Sequence, residues 1–342
     1  MRILVTGGLG FIGSHLVRRL LNEPDIQVDN LDALTYAGNL ANLADLADHP
    51  RYTWHRASIT DAAAVEAIFA KAKPDAVMHL AAESHVDRSI ENGMPFVETN
   101  VVGTEVLLEA ARRHQVRRFL HVSTDEVYGS LGPDGYFRED TPLQPRSPYS
   151  ASKAASDMLA LAQYHTYGQD VVVTRCSNNY GPYQFPEKLI PLWITNGLEG
   201  KPWPIYGDGL NVRDWIYVED HVEGLWLALT RGKAGQVYNL GTRNEQSNRE
   251  VAQALLALMG LPPETVVPVK DRLGHDRRYA IDPGYAEKEL GFTPRVSWEE
   301  GLRRTVDWYR THTEWWQAVK SGDYLTYYRR HYAQLESGEH ES

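Results

Sequence analysis

Two residues in the middle of the chain have the types and spacing of a proton-transfer pair. Tyr149 and Lys153 stand four residues apart in Pro148-Tyr-Ser-Ala-Ser-Lys, so the helix predicted there places both side chains on one face. A free tyrosine, with a pKa of about 10, is a poor base at neutral pH. A nearby ammonium group favours the phenolate, and so does a positive nicotinamide ring where such a cofactor binds. We therefore expect the pKa of Tyr149 to move toward the working range, although such a pair is more often just a solvated helix face.

Two adjacent carboxyl groups follow the strand predicted at Arg118–Ser123. Asp125 and Glu126 come directly after Ser123-Thr124, at the carboxyl edge where open α/β sheets bind ligands. Neighbouring carboxylates in one pocket cannot both ionise cheaply, so one pKa should rise and supply an acid while the other group remains a base. Removal of water across a carbon–carbon bond needs this combination. The alternative is a solvated acidic loop.

A glycine pattern near the amino terminus predicts a dinucleotide site. Gly7, Gly10 and Gly13 follow the first predicted strand and open the first predicted helix, so the helix N-terminus can offer its amides to a pyrophosphate. Asp32 ends the second strand, where a carboxylate accepts hydrogen bonds from ribose hydroxyls and repels a 2′-phosphate. No Arg or Lys occurs between Asp32 and Arg51. The pattern therefore predicts NAD rather than NADP.

A parallel sheet with helices on both faces would bring these residues together at one edge. The first half of the chain alternates strand-like and helix-like segments, which is the pattern of such a sheet. The predicted strands are Ile3–Thr6, Ile26–Leu31, Tyr52–Ala57, Ala76–Leu80, Arg118–Ser123 and Val171–Arg175. The predicted helices are Ile12–Leu21, Ala62–Ala72, Asn100–His114, Pro148–Tyr167, Asn248–Met259 and Ser297–His312.

The sequence thus predicts an α/β protein with a Rossmann-type doubly wound parallel sheet and a smaller mixed α/β substrate lobe. We expect an NAD-binding domain over residues 1–176, rejoined by part of 212–242, a substrate-binding lobe over 177–337 and a frayed tail at 338–342. From about Ser177 the chain is rich in proline, glycine and aromatic residues, which favours site-forming loops over regular layers.

Composition narrows the class of partner. The 342 residues carry a formal net charge of −10, which argues against nucleic acid as a partner but allows a local basic pocket for a small anion. The single cysteine, Cys176, excludes an internal disulfide and suits a reducing cytoplasm. No run approaches the ~18 apolar residues of a membrane span. We therefore expect a cytoplasmic protein that does not enter a membrane.

Taken together, these motifs resemble the dTDP-glucose 4,6-dehydratase family within the extended short-chain dehydrogenase/reductases, and the similarity covers nearly the whole chain. The most specific strings are Thr124-Asp-Glu with Tyr149-x-x-x-Lys153, Asp32-Ala-Leu-Thr-Tyr-Ala-Gly-Asn, His79-Leu-Ala-Ala-Glu-Ser-His-Val-Asp-Arg-Ser, Arg175-Cys-Ser-Asn-Asn-Tyr-Gly-Pro-Tyr-Gln, Glu187-Lys-Leu-Ile-Pro and Asp271-Arg-Leu-Gly-His-Asp-Arg-Arg-Tyr. One position departs from the family, because Ser58 stands where many members have an Asp that meets the adenine amino group.

The resemblance implies a role for each reacting residue. Tyr149 takes the proton of the sugar 4-hydroxyl, Thr124 hydrogen-bonds the developing ketone, and Lys153 holds the nicotinamide ribose. Glu126 then removes the proton on carbon 5, and Asp125 protonates the departing hydroxyl on carbon 6. A tightly bound NAD is recycled within each turnover, so the reaction has no net redox change.

The resemblance also implies two sets of binding residues. The cofactor set is Gly7, Gly10, Phe11, Ile12, Gly13, Asp32, Leu34, Thr35, Gly38, Ser58, Ile59, Leu80, Ala81, Ala82, Ser84, Thr99, Val122, Tyr149, Lys153 and Asn178. The substrate set is Ser84, Thr124, Asp125, Glu126, Tyr149, Asn179, Glu187, Lys188, Leu189, Pro204, Ile205, Tyr206, Arg213, Asn248, Asp271, Arg272 and His275. A homodimer formed by the helices near Asn100–His114 and Pro148–Tyr167 is implied as well.

Three alternatives stay open at this point. A nucleotide-sugar 4-epimerase shares the glycine motif and the Tyr-Lys pair but does not need Asp125-Glu126. A 4,6-dehydratase acting on GDP-mannose or a UDP-linked sugar would differ only in the loops that recognise the base. A non-enzymatic NAD-binding regulator could use the same fold, since fold alone does not fix function.

Overall fold

The computed structural model describes residues 1–271 and 274–320. Its strands are β1 (Arg2–Thr6), β2 (Gln27–Asp32), β3 (Tyr52–Arg56), β4 (Ala76–His79), β5 (Arg118–Thr124), β6 (Val171–Cys176), β7 (Asn178–Tyr180), β8 (Trp203–Tyr206), β9 (Val212–Tyr217), β10 (Val237–Leu240), β11 (Glu245–Ser247) and β12 (Val266–Val269). The six strands predicted in the first half are confirmed, each within one residue at either end.

The helices are α1 (Phe11–Leu21), α2 (Ala62–Ala72), α3 (Val86–Glu91), α4 (Met94–Phe96), α5 (Thr104–Arg113), α6 (Pro148–Tyr167), α7 (Leu189–Leu198), α8 (Val218–Arg231), α9 (Asn248–Met259), α10 (Gly284–Leu290), α11 (Trp298–Thr311) and α12 (Thr313–Val319). Short 3₁₀ turns lie at Leu40–Leu46, Asp125–Tyr128 and Pro263–Thr265, and a π-helical stretch at Val97–Gly103 leads into α5. The helix predicted at Asn100–His114 therefore begins earlier than expected and changes its winding at Thr104.

The large sheet has the order β10-β6-β5-β4-β1-β2-β3 with all neighbours parallel. Side chains alternate across it, so Ile3 and Val5 face the layer of α1 and α8, whereas Leu4 faces the layer of α2, α5 and α6. Burial of both faces explains the apolar runs in its strands. The Rossmann-type prediction is confirmed. Strand order reverses between β1 and β4, and ligands of such sheets bind at the carboxyl ends near that point.

The chain after Ser177 forms a mixed α/β region as predicted, and it holds more regular structure than its proline- and glycine-rich segments indicated. It forms a three-stranded sheet, β11-β9-β7, and a two-stranded sheet, β12-β8, with α7, α9, α11 and α12 packed around a separate apolar core. We expected proline to mark loops in this part of the chain, yet Pro191 is the third residue of helix α7. A proline in the first turn is tolerated, because the amides there have no acceptor within the helix. No helix among the described residues is long and apolar enough to cross a membrane.

Candidate active site

Tyr149 and Lys153 are held by the first turns of α6. Ser147 caps this helix by accepting from the Ser150 amide at 3.0 Å, and Pro148 occupies the first helical position. Both side chains are buried, with 8% of Tyr149 and 4% of Lys153 exposed. The helix therefore directs the pair into the protein at the sheet edge, and the solvated-face alternative is wrong.

Asp125 and Glu126 follow the carboxyl end of β5 in a tight 3₁₀ turn. Thr124 caps that turn, since its Oγ1 accepts from the Glu126 amide at 3.2 Å. The same hydroxyl donates to Asp125 Oδ1 at 3.3 Å. Thr124, Asp125, Glu126, Tyr149 and Lys153 all line one cavity. The structure thus brings together the five residues that the sequence proposed for chemistry.

The carboxyl group of Asp125 favours its protonated form. The residue is 2% exposed, and its Oδ2 has no hydrogen-bond partner among the described residues. Burial raises the pKa of Asp125 well above its ordinary value, with further contributions from the charges of Glu126 and Asp214. The expectation that one member of the pair becomes an acid agrees with this direction.

The expectation for the pKa of Tyr149 is not met by the protein groups alone. Burial raises the pKa of Tyr149 well above 10, the charge of Glu126 adds to the shift, and the nearby Thr124 hydroxyl opposes it. Lys153 does not compensate, because its Nζ donates to the carbonyl of Val122 at 2.8 Å and burial lowers its own pKa to about 8. Phenolate formation therefore needs a further positive charge at this place.

The glycine motif forms a backbone cradle at the N-terminus of α1. Gly7 has φ +73, and a Cβ at Gly13 would lie 2.1 Å from the Gly7 carbonyl oxygen, so only glycine fits there. No side chain caps the helix at Gly10. A pyrophosphate fits this arrangement, since first-turn amides and the helix dipole attract an anion.

The ribose end of the cradle is defined by Asp32. Its carboxylate accepts from the amides of Leu9 at 2.9 Å and Leu34 at 2.8 Å, which fixes its orientation beside the glycines. Burial raises the pKa of Asp32, and the two backbone hydrogen bonds oppose that shift. At the other end of the cavity, Ser177 Oγ and Asn178 Oδ1 are buried without a partner among the described residues. The residues present therefore fit NAD, with polar atoms left for its carboxamide.

Nearly all predicted cofactor residues line this cavity. They are Gly7, Gly10, Phe11, Ile12, Gly13, Asp32, Thr35, Gly38, Ser58, Ile59, Leu80, Ala81, Ala82, Ser84, Thr99, Val122, Tyr149, Lys153 and Asn178. Leu34 is the exception, because its side chain packs against the apolar core next to α1 and only its amide faces Asp32.

A second cavity adjoins the first and contains most of the predicted substrate residues. Its walls include Glu126, Asn179, Glu187, Lys188, Leu189, Pro204, Tyr206, Arg213, Asn248 and His275. Ile205 lies outside the lining, since its side chain is in the apolar core of the second sheet region. Asp271 is also outside and pairs with His275 at 2.6 Å. Arg272 is not among the described residues.

Arg213 is the buried cation of this second cavity. It is 6% exposed, its guanidinium donates to the carbonyl of Asp276 at 3.0 Å, and it lies 4.3 Å from the ring centroid of Tyr279. A guanidinium held in this way suits a diphosphate. Its charge also opposes the rise in the pKa of Asp125, so the two cavities are electrostatically connected.

Several lining residues were missed by the sequence analysis. Tyr36, Glu83, Cys176 and Ser177 line the first cavity, and His85 and Tyr279 line the second. Each stands inside or beside a string already singled out, so proximity to the motif was the available signal. Their orientation was not predictable because it depends on packing between distant segments.

Comparison with known proteins agrees with this geometry. Residues 4–305 match the family model described as GDP-mannose 4,6 dehydratase. A dTDP-glucose 4,6-dehydratase from Streptomyces griseus is 55% identical, over 93% of this chain and 96% of its own length. The corresponding protein from Neisseria meningitidis is 51% identical, over 94% of this chain and 97% of its own. The chain belongs to the dTDP-glucose 4,6-dehydratase family.

Solved structures separate this family from the epimerases. DesIV from Streptomyces venezuelae, a dTDP-glucose 4,6-dehydratase crystallised with NAD and TYD bound, has a TM-score of 0.91 and 52% identity, covering 94% of this chain and 100% of its own. A Thermus thermophilus UDP-glucose 4-epimerase in complex with NAD has a TM-score of 0.85 and 35% identity, covering 91% and 100%. The fold is shared by both groups, whereas the higher identity accompanies the dehydratases.

Proposed function

We propose that this protein is an NAD-dependent dTDP-glucose 4,6-dehydratase, which converts dTDP-glucose to dTDP-4-keto-6-deoxyglucose and water. The observation that carries the proposal is the buried Asp125, whose pKa is raised by burial, next to Glu126 in the cavity that also holds Tyr149 and Lys153. An epimerase has no use for this acid–base pair. The high identity to dehydratases supports the same conclusion.

Oxidation at carbon 4 prepares the substrate for elimination. NAD, when bound, accepts the hydride of carbon 4 and supplies it again at carbon 6. Tyr149 removes the proton of the 4-hydroxyl, and the positive charge of a bound NAD would favour the phenolate that burial and Glu126 disfavour. Thr124 hydrogen-bonds the forming ketone with the hydroxyl proton that it otherwise donates to Asp125.

Elimination uses the two carboxyl groups in opposite roles. The ketone at carbon 4 acidifies the proton on carbon 5, and Glu126 accepts that proton. Asp125 donates its proton to the hydroxyl on carbon 6 as the carbon–oxygen bond breaks, so water leaves. Hydride return to carbon 6 and proton return to carbon 5 give the 4-keto-6-deoxy sugar, and no net oxidation remains.

An isotope experiment tests this proposal. Incubation of the purified protein with dTDP-glucose carrying deuterium at carbon 4 should give an alkali-sensitive keto sugar with the deuterium at carbon 6. In deuterated water, unlabelled substrate should take up solvent deuterium at carbon 5. An isomeric hexose with deuterium still at carbon 4 would instead identify an epimerase, and absence of any product would leave a cofactor-binding protein without this activity.

The nucleotide preference for dTDP rests on the family and on the cavity that contains Tyr206, Arg213 and His275. Turnover of dTDP-, UDP-, CDP- and GDP-glucose, compared as kcat/KM, tests it. We expect the dTDP sugar to be preferred by at least tenfold. A higher kcat/KM with another base would reassign the substrate.

We further infer a cytoplasmic homodimer. Ile90, Met94, Val97, Val102 and Met158 are exposed apolar residues. Val102 and Met158 lie on the two helices expected to pair, and the other three lie on the segments just before the first of these helices. Met94 is 60% exposed and Met158 59%. Several apolar side chains exposed together in this way indicate a surface that another chain covers. Light scattering should give twice the chain mass for the wild type, and Met158→Asp should lower it to one chain.

A further inference from the structure

Glu187 lies where a loop of the cofactor cavity meets a loop of the second cavity. Its side chain is 2% exposed and lines both cavities. Tyr36 reaches it from the loop after β2, the loop in which Thr35 and Gly38 line the cofactor cavity. The two residues are far apart in sequence, so their contact joins two binding segments that the chain forms separately.

Three groups surround the Glu187 carboxylate. Arg88 Nη2, on α3, lies 3.2 Å from Oε2, and His85 Nε2 lies 3.8 Å from Oε1. Tyr36 stands near the same carboxylate, whose charge adds to the rise that burial causes in the pKa of its hydroxyl. Burial raises the pKa of Glu187, and the charges of Lys188 and Arg88 oppose that rise. The carboxylate therefore depends on these neighbours to stay both charged and fixed in position.

Arg88 and Tyr36 also contact each other directly. The guanidinium lies 4.0 Å from the centroid of the Tyr36 ring, a short cation–π distance. Phe185, two residues before Glu187, meets the Tyr36 ring edge-on with centroids 5.6 Å apart. The cofactor-side loop, α3 and the segment before α7 are thus connected through one aromatic ring and one guanidinium.

We propose that Tyr36, Arg88 and Glu187 form a positioning unit that couples the two cavities, so that NAD and the nucleotide sugar each tighten the binding of the other. This rests on the proposed function, which supplies both ligands. A ligand ordering the loop at Thr35 and Gly38 fixes the Tyr36 ring, which holds Arg88 and, through Arg88, Glu187 in the wall of the second cavity. Binding of the second ligand then no longer has to order these residues, so it is more favourable. Thermodynamic linkage requires each ligand to increase the affinity for the other by the same factor.

Exchange of bound NAD for labelled NAD, measured on the holoenzyme with and without dTDP, tests the coupling. We expect dTDP to slow exchange from the wild type by about fivefold or more, the lower range of measured couplings. Tyr36→Leu removes the ring on which Arg88 stacks, so the ratio of the two exchange rates should fall toward one. The matched control Tyr136→Leu alters an exposed tyrosine and should keep the wild-type ratio.

Arg88→Lys gives an independent test, because lysine keeps the charge but cannot stack as a planar group. Its ratio should also fall, and its retained NAD content verifies that it is folded. A wild-type ratio of one, or an unchanged ratio in Tyr36→Leu, would overturn the coupling while leaving the proposed function intact. A wild-type protein that fails to bind NAD or dTDP at all would instead refute the proposed function.

Discussion

Replacement of Asp125 by Asn should stabilise the protein at neutral pH and at the same time slow the elimination. The folded state favours the protonated carboxyl, because burial, Glu126 and Asp214 raise the pKa of Asp125. The unfolded chain releases that proton with an ordinary pKa of about 3.9. The contribution of Asp125 to wild-type stability is therefore fully present below about pH 4 and is lost as the pH rises toward the folded pKa.

The size of the effect follows from the pH difference. In the pH range where the folded state is protonated and the unfolded state is not, the free energy of unfolding falls by about 1.4 kcal/mol per pH unit. At pH 7 the roughly three units above the unfolded pKa correspond to at most about 4 kcal/mol. Asparagine has a similar shape and no proton to retain, so Asp125→Asn should gain up to that amount at pH 7 and almost nothing at pH 4. Its kcat should fall by a factor of ~10²–10⁴, the usual contribution of a positioned acid.

Urea denaturation at several pH values, with steady-state turnover in parallel, measures both effects. Asp140→Asn is the matched control, because it changes an exposed carboxylate and should alter stability by less than about 0.5 kcal/mol. A stability gain for Asp125→Asn that does not grow with pH would show that the folded protein does not retain this proton. Turnover within about threefold of wild type would remove Asp125 from the elimination step.

Three other perturbations address different parts of the site. Glu126→Gln should still permit oxidation at carbon 4 but not proton removal at carbon 5, so absorbance of reduced nicotinamide should accumulate; full turnover would exclude Glu126 as the base. The pKa of Lys153, lowered by burial to about 8, means that its ammonium is present below and lost above that pH. A pH–rate profile of kcat/KM should therefore decline above about pH 8, and a flat alkaline limb would disprove this. Gly13→Ala should yield protein without NAD, because the new Cβ would lie 2.1 Å from the Gly7 oxygen. The control Gly132→Ala has open space around it and should retain the cofactor. The ultraviolet spectrum of the purified proteins shows whether NAD is bound.

The elements of the first half were predictable because their signals are local. Helix α6 has Ser147 as its cap, Pro148 at its first position and Gly168 with φ 68 at its end. These residues set its bounds without any tertiary contact. The same applies to the glycine cradle, where a strand, a tight turn and a helix follow each other directly.

Features that depend on distant packing were not predictable. The cluster of Tyr36, Arg88 and Glu187 joins segments that no sequence pattern relates. The rise that the protein groups alone cause in the pKa of Tyr149 was not predictable either, because the depth of its burial is set by the packing of α6 against the sheet rather than by the spacing to Lys153. Local patterns thus identified the reacting residues, whereas their electrostatic environment required the fold.

The position of β10 has a consequence for how the protein is made. This strand covers the free side of β6 in the large sheet, yet the ribosome synthesises it only after β7, β8, β9 and α8. A nascent or truncated polypeptide that stops before residue 237 exposes the bare edge of β6, a template for pairing with another copy. Such fragments should accumulate in the insoluble fraction of an expressing cell. The reason is that β10 can cover the edge of β6 only when about two thirds of the chain has left the ribosome.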